Sequence, residues 1–99
     1  MSHTLIVRSV AEKDIWKSAE YYEEQVVGLG KEFIMCVDAA MNSIERTPHI
    51  YPPHYKSYRR ILIRRFPFGV FYIVDDKVVS VIKVFNLKQS PNSLLESLR

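Results

Sequence analysis

Cysteine and glycine are scarce in this chain: one cysteine, Cys36, and three glycines in 99 residues. A lone cysteine forms no internal disulfide, so the fold rests on packing alone, and inside an apolar helical pattern Cys36 reads as a small buried hydrophobe. Glycines at 28, 30 and 69 leave no glycine-rich loop to cradle a phosphate. Apolar runs stop at five or six residues, far short of the roughly 20 needed to span a membrane. The opening Met-Ser-His-Thr lacks a charged region followed by an apolar one, so no export signal is visible and a cytoplasmic protein is expected. Histidine, cysteine, aspartate and glutamate nowhere fall at ligand spacing within one element. Nothing therefore supports a metal site, and no cofactor is expected. A Gly-x-Ser-x-Gly elbow is also missing. His3 lies near the start, and His49 and His54 lie in a proline-rich stretch where a histidine is more often solvated or packed than catalytic.

The most informative absence is of acid. From Arg46 to Val74 there is no aspartate or glutamate, while Arg46, Lys56, Arg59, Arg60, Arg64 and Arg65 fall in that window. Residues 1–45 carry eight acids against four bases, and residues 75–99 carry three against four. The net charge of +3 is thus concentrated in one block, whose field favours polyanions or an acidic partner. Arginine also binds phosphate in a bidentate way without a metal. Tyr51, Tyr55, Tyr58 and Tyr72 flank or interrupt the block, an interleaving that suits base stacking as well as core filling.

What is present is enough for one compact domain spanning 1–99, with 47% apolar residues and twelve aromatics. Thr4 to Arg8 reads as a short opening strand. Ser9 and Glu12 fit a capping box, placing a helix start near Val10. Ile15, Ala19, Tyr22 and Val26 recur at helical spacing, broadened by Trp16, with Lys13, Lys17, Glu20 and Glu24 on the solvated side. Gly28-Leu29-Gly30 reverses the chain into a second helix with Phe33, Val37, Ala40, Met41 and Ile44 on one side. This helix stops before Pro48, and the two form an antiparallel hairpin. Pro48 to Tyr55 reads as an ordered loop with little regular structure. Tyr58 to Phe66 is the cationic strand, Phe68 to Val74 a central strand apolar on both faces, and Val78 to Phe85 a third after the Asp75-Asp76-Lys77 turn. Ser90-Pro91 opens a last helical turn that docks Leu94, Leu95 and Leu98. The fold class is α+β: an N-terminal strand, an α-helical hairpin packed on a twisted antiparallel sheet, and a short C-terminal helix.

Blocks along the chain resemble the RelE/ParE toxin superfamily, the toxin halves of bacterial toxin–antitoxin modules often called plasmid stabilisation proteins. They are Ala11-Glu12-Lys13-Asp14-Ile15, Tyr21-Tyr22-Glu23-Glu24-Gln25, Gly28-Leu29-Gly30-Lys31-Glu32-Phe33, Ile44 to Pro48, Tyr58-Arg59-Arg60-Ile61 and Arg65-Phe66-Pro67-Phe68-Gly69-Val70-Phe71-Tyr72. The likeness runs from about Thr4 to Pro91, and the Gly-Leu-Gly and Arg-Phe-Pro-Phe blocks point to the ParE-like branch.

The resemblance implies a type II toxin that poisons DNA gyrase by protein–protein contact and is neutralised by an acidic antitoxin. Lys56, Tyr58, Arg59, Arg60, Arg64 and Arg65 are the residues expected to bind antitoxin or target. Two alternatives follow from the same likeness: a metal-independent mRNA endonuclease acting at the ribosome, or a degenerate relative that only binds antitoxin. For a nuclease the candidate catalytic residues are Arg60, Arg64, Lys83 and Lys88. Nuclease relatives tend to carry an arginine where this chain has Gly69 and a histidine near Asn86. Asn86 is no general acid near neutral pH, so the reading leans away from an enzyme.

Overall fold

A computed structural model describes residues 3–98. Strand β1 (Thr4–Val7) leads into helices α1 (Ser9–Gln25) and α2 (Leu29–Arg46). A single 3-10 turn at Pro48–Ile50 follows, then β2 (Pro53–Tyr55), β3 (Tyr58–Leu62), β4 (Phe68–Asp75), β5 (Val78–Asn86) and helix α3 (Pro91–Leu98). The strands form one sheet in the order β1-β5-β4-β3-β2. This is the expected α+β architecture, with β4 central. The four C-terminal strands form an antiparallel meander, and β1 joins it parallel to β5, from Thr4↔Val78 to Val7↔Val81. That pairing joins residues some seventy positions apart, and the local pattern of β1 carries no trace of its direction.

The hairpin turn depends on both of its glycines. Gly28 adopts φ 90°, in the left-handed region that glycine enters without steric cost. Glu23, in the last turn of α1, accepts hydrogen bonds from the Gly28 N–H at 2.9 Å and the Gly30 N–H at 3.0 Å. Its carboxylate thereby satisfies free donors at the positive end of α2. At Gly30 the helices nearly touch, since a Cβ there would stand 2.5 Å from the Ala19 carbonyl oxygen. Gly30→Ala is therefore expected to force the helices apart and cost about 1–3 kcal/mol or more, as overpacked cores do. Chemical denaturation should show this as a lower midpoint at unchanged slope, whereas an unchanged midpoint would refute the close approach.

The start of α1 departs from the capping-box expectation. Arg8, extended at φ −66° and ψ 151°, is the N-cap, and no side chain caps it. The Arg8 N–H donates to the Val81 carbonyl at 3.0 Å, so the sheet ladder continues up to the first helical turn. Ser9 is already helical and leaves no room for the box. The predicted α2 stripe is buried in full. On α1 two members fail: Val26 lies beyond the helix end and is 59% exposed, and Trp16 points outward at 60% exposed. Cys36 is half-buried.

The hairpin packs on one face of the sheet. Ile15, Phe33 and Ile44 meet Phe68, Val70 and Tyr72 of β4 and Val79, Val81 and Val84 of β5. Phe33 sits at the middle of this layer, its ring centroid 4.9–5.4 Å from those of Tyr22, Phe66 and Phe68. The other face carries a smaller core in which Leu94 and Leu98 of α3 cover Phe71 and Phe85. Leu95 is only half-buried. The Ser90-Pro91 start of α3 forms as read, with Ser90 Oγ accepting from the Ser93 N–H at 3.2 Å.

Residues 48–55 are more ordered than a loop. Tyr72 donates its hydroxyl to the Pro48 carbonyl at 2.7 Å, fixing the 3-10 turn. Beyond it β2 pairs with β3 at Pro53↔Arg59 and Tyr55↔Tyr58. Proline is tolerated there because β2 is the sheet edge and Pro53 needs no donor.

Candidate functional site

The cationic block does not form a continuous patch, because strand alternation divides it. Arg59 lies opposite Tyr72 and Arg60 opposite Phe71, which places the two neighbouring arginines on different faces. Arg59 turns toward the hairpin side, where its Nη1 donates to the Tyr51 carbonyl at 2.6 Å and the His49 carbonyl at 3.3 Å. It is a staple for the proline-rich segment, the same job that Tyr72 does at Pro48.

Burial pushes the Tyr72 hydroxyl up to about 12, with Arg59 opposing the shift and Tyr51 adding to it. A raised folded value favours the neutral phenol on folding. This contribution is complete below the ordinary value near 10 and is lost as the pH climbs through about 12. Tyr72→Phe leaves the Pro48 carbonyl without its partner. It is expected to cost about 1–3 kcal/mol at neutral pH and to flatten the fall in stability between those pH values. Thermal melts of both proteins from pH 8 to 12 on the same scale check it.

The other named residues are scattered. Tyr58 donates its hydroxyl to the Leu98 carbonyl at 2.9 Å, so it anchors the end of α3 and does not stand free as a stacking platform. Arg65, at φ 72°, pairs with Glu32 at 2.6 Å; this exposed pair is worth about 0–1 kcal/mol, yet it neutralises one charge of the block. Lys56, in the β2–β3 turn, holds its amine 5.4 Å from the Tyr55 ring centroid. Lys83 is half-buried against Asp14 at 3.0 Å, and the other oxygen of Asp14 accepts the Val84 N–H at 3.2 Å. Lys88 is exposed in the turn after β5, and Arg64 is exposed beside α2.

The four candidate catalytic residues do not gather in one groove. Arg60, Arg64, Lys83 and Lys88 each line a different groove, the Lys83 and Lys88 grooves adjoining through Tyr21, Tyr22 and Asn86 and the Arg60 and Arg64 grooves through the edge of β3. Of the proposed binding set, Arg59 and Tyr58 are spent on structure and Arg65 is paired. Lys56, Arg60 and Arg64 remain available.

Two of these grooves lie along the edge of β3 past the end of β2, and both are lined by Tyr51, Ile61 and Leu62. On the hairpin side a groove of about 590 Å³ runs under α2 between Met35, Ala39 and Arg64. Met35 and Leu62 are 60% and 56% exposed there, a large apolar exposure for a surface. On the opposite side a groove of about 460 Å³ holds Arg60 and His54. Arg60 Nη1 donates to His54 Nε2 at 3.3 Å. Partial burial, with Arg60 second, lowers His54 below its ordinary value and keeps it neutral at neutral pH. In the sequence His54 reads as a loop histidine set aside from catalysis, because Pro52 and Pro53 hide the strand on which it lies. The signal was the six-residue step from His54 to Arg60 across a turn, which sets them side by side.

A family model described as "ParE toxin of type II toxin-antitoxin system, parDE" matches residues 5–91. Toxin ParE2 of Mycobacterium tuberculosis is 26% identical over 95 residues, covering 95% of this chain and 90% of that protein. Among solved structures, a chain of the chromosomal ParDE system from P. aeruginosa superposes with a TM-score of 0.75 at 13% identity, over 87% of this chain and 97% of that one. A mutant of the E. coli toxin RelE in the free state gives 0.67 at 19% identity, over 99% and 96%. The two structures show the fold; the family match over most of the chain shows descent. With the hairpin-on-sheet architecture in place, this chain belongs to the ParE toxin family of type II toxin–antitoxin systems.

Proposed function

We propose that this type II toxin acts in the cytoplasm by binding DNA gyrase through protein–protein contact, and that an acidic antitoxin neutralises it. The observation that carries this reading is the dispersal of the cations: Arg59 is tied to the His49 and Tyr51 carbonyls, Arg65 to Glu32 and Lys83 to Asp14. Metal-free phosphodiester cleavage needs a proton-transfer group and phosphate-binding cations converging on one phosphate. Arg60 and His54 share one groove, but no second cation among the described residues lines it, and Lys83 is tied to Asp14. Binding needs no such convergence. The exposed apolar groove under α2, rimmed by Arg64, supports docking of an amphipathic acidic segment from the antitoxin.

Induced expression with parallel readouts of DNA breaks and of mRNA integrity tests the target. Gyrase-dependent breaks with intact mRNA are expected, together with inhibition of gyrase supercoiling by the purified protein. Codon-positioned mRNA cuts that vanish in Arg60→Ala would replace this reading with the endonuclease. Absence of growth arrest would replace it with a relative that only binds antitoxin.

A further inference from the structure

The Arg60 side chain is unusually well seated for a surface arginine. Gly69 lies beneath it: a Cβ at that position would stand 3.1 Å from Arg60 Cδ, 3.2 Å from its Cγ and 3.3 Å from Cε1 of Phe71. The missing side chain is what lets the arginine stem lie flat on the sheet beside Phe71. At its tip the guanidinium meets His54, whose ring stands 6.0 Å from that of Phe71. A glycine floor, an aromatic wall and an imidazole thus hold the group, and little rotamer entropy is left to lose on binding.

The donors outnumber the acceptors at this spot. Arg60 has no carboxylate partner among the described residues, and the sequence supplies no acid between Arg46 and Val74. His54 accepts from Arg60 on Nε2, so its own hydrogen sits on Nδ1 and adds a further donor. The walls are apolar: Tyr51, Pro52, Pro53, Ile61 and Leu62 complete the lining. Past Pro53↔Arg59, β2 offers β3 no further partner, so the edge at Arg60–Leu62 faces this groove.

A single guanidinium among apolar walls is a poor match for a polyanion, which needs a row of cations. Arg59 has turned to the other face, and Lys56 stands out at the turn. The same setting matches one carboxylate on an otherwise apolar extended peptide, since arginine binds carboxylate in a bidentate fork.

We propose that Arg60 and His54, seated on Gly69, are the receptor for one aspartate or glutamate of a partner peptide lying along the free edge of β3. This rests on the toxin–antitoxin reading, with the acidic antitoxin as the source of the peptide. The site is a positive selector: it ranks partner segments by whether a carboxylate arrives opposite Arg60.

The probe is a fluorescein-labelled pentapeptide, Thr-Val-Glu-Val-Thr with blocked ends, against its Gln counterpart, read by anisotropy on the full chain. The Glu peptide is expected to bind about tenfold more tightly, as a charge-assisted bidentate contact allows. Arg60→Gln should bring that ratio to about one. Gly69→Ala, which displaces the arginine stem, should reduce it while the melting temperature confirms a folded protein. His54→Gln, which keeps a donor, should retain part of it. A ratio near one in the parent protein, a ratio that survives Arg60→Gln, or no binding of either peptide would overturn the proposal. Displacement of the peptide by a labelled single-stranded RNA whose binding depends on Arg60 would overturn it in favour of a nucleic-acid site. Growth arrest is scored separately. Arrest with a flat peptide ratio removes this receptor alone, and a tenfold ratio without arrest removes the toxin reading while the carboxylate site stands.

Discussion

Phe33→Ala is expected to lower the free energy of unfolding by about 3–5 kcal/mol, the loss seen when a buried aromatic leaves a cavity. Phe33 has no exposed surface. Tyr22, Phe66 and Phe68 ring it, at angles from 35° to 90° between planes. These neighbours come from α1, from the β3–β4 connection and from β4, so no one element can shift to fill the gap. Edge-to-face contacts add about 0.5–1.5 kcal/mol beyond the area buried, and all of them go with the ring. A domain of this size has about 5–15 kcal/mol in total, so the variant is expected to melt well below the parent or to be partly unfolded at 37 °C. Urea unfolding followed by far-ultraviolet circular dichroism is suitable, because the single tryptophan, Trp16, is already exposed in the folded protein and reports little. A loss under about 1 kcal/mol would mean that Phe33 is not the centre of the helix–sheet layer.

The second large effect is kinetic. Reversing Arg60 and Arg64 together to glutamate is expected to slow association with the acidic antitoxin by at least about tenfold at low salt, because steering by opposite charge raises on-rates by 10–10³-fold. Raising the ionic strength should shrink the difference, since the Debye length falls to about 3 Å at 1 M salt. These two positions are chosen for structural reasons. Arg59 holds the carbonyls of His49 and Tyr51, so changing it would disturb the fold, and Arg65 is already balanced by Glu32. Stopped-flow association at several salt concentrations separates the outcomes. Equal rates for parent and double variant at every ionic strength would place the antitoxin on another surface.

Read from spacing alone, α2 is complete: Phe33, Val37, Ala40, Met41 and Ile44 recur with the helical period, and all are buried. On α1 the same period runs on through Val26, although the helix ends at Gln25 ahead of Gly28. The apolar run of β4 marks it as the centre of the sheet, since a strand apolar on both faces has to be covered twice. The two faces are covered by the hairpin and by α3.

The amino-acid sequence by itself determined every α-helix and every strand except β2, the hairpin with its glycines, the family and the amount of positive charge between Arg46 and Val74. These are local quantities, set by backbone sterics, periodicity and composition. Tertiary structure alone decided which of those charges are available. Arg59 and Arg60 are adjacent in the chain, yet one faces carbonyls of the 48–51 segment and the other faces His54 over Gly69. Pleating sends consecutive side chains to opposite faces, and what waits on each face comes from distant segments. Lys83 finds Asp14, Arg65 finds Glu32 and Tyr58 finds Leu98 for the same reason. A cation's partner is set by the packing of elements far apart in the chain, so a count of charges in a window fixes the field but not the site.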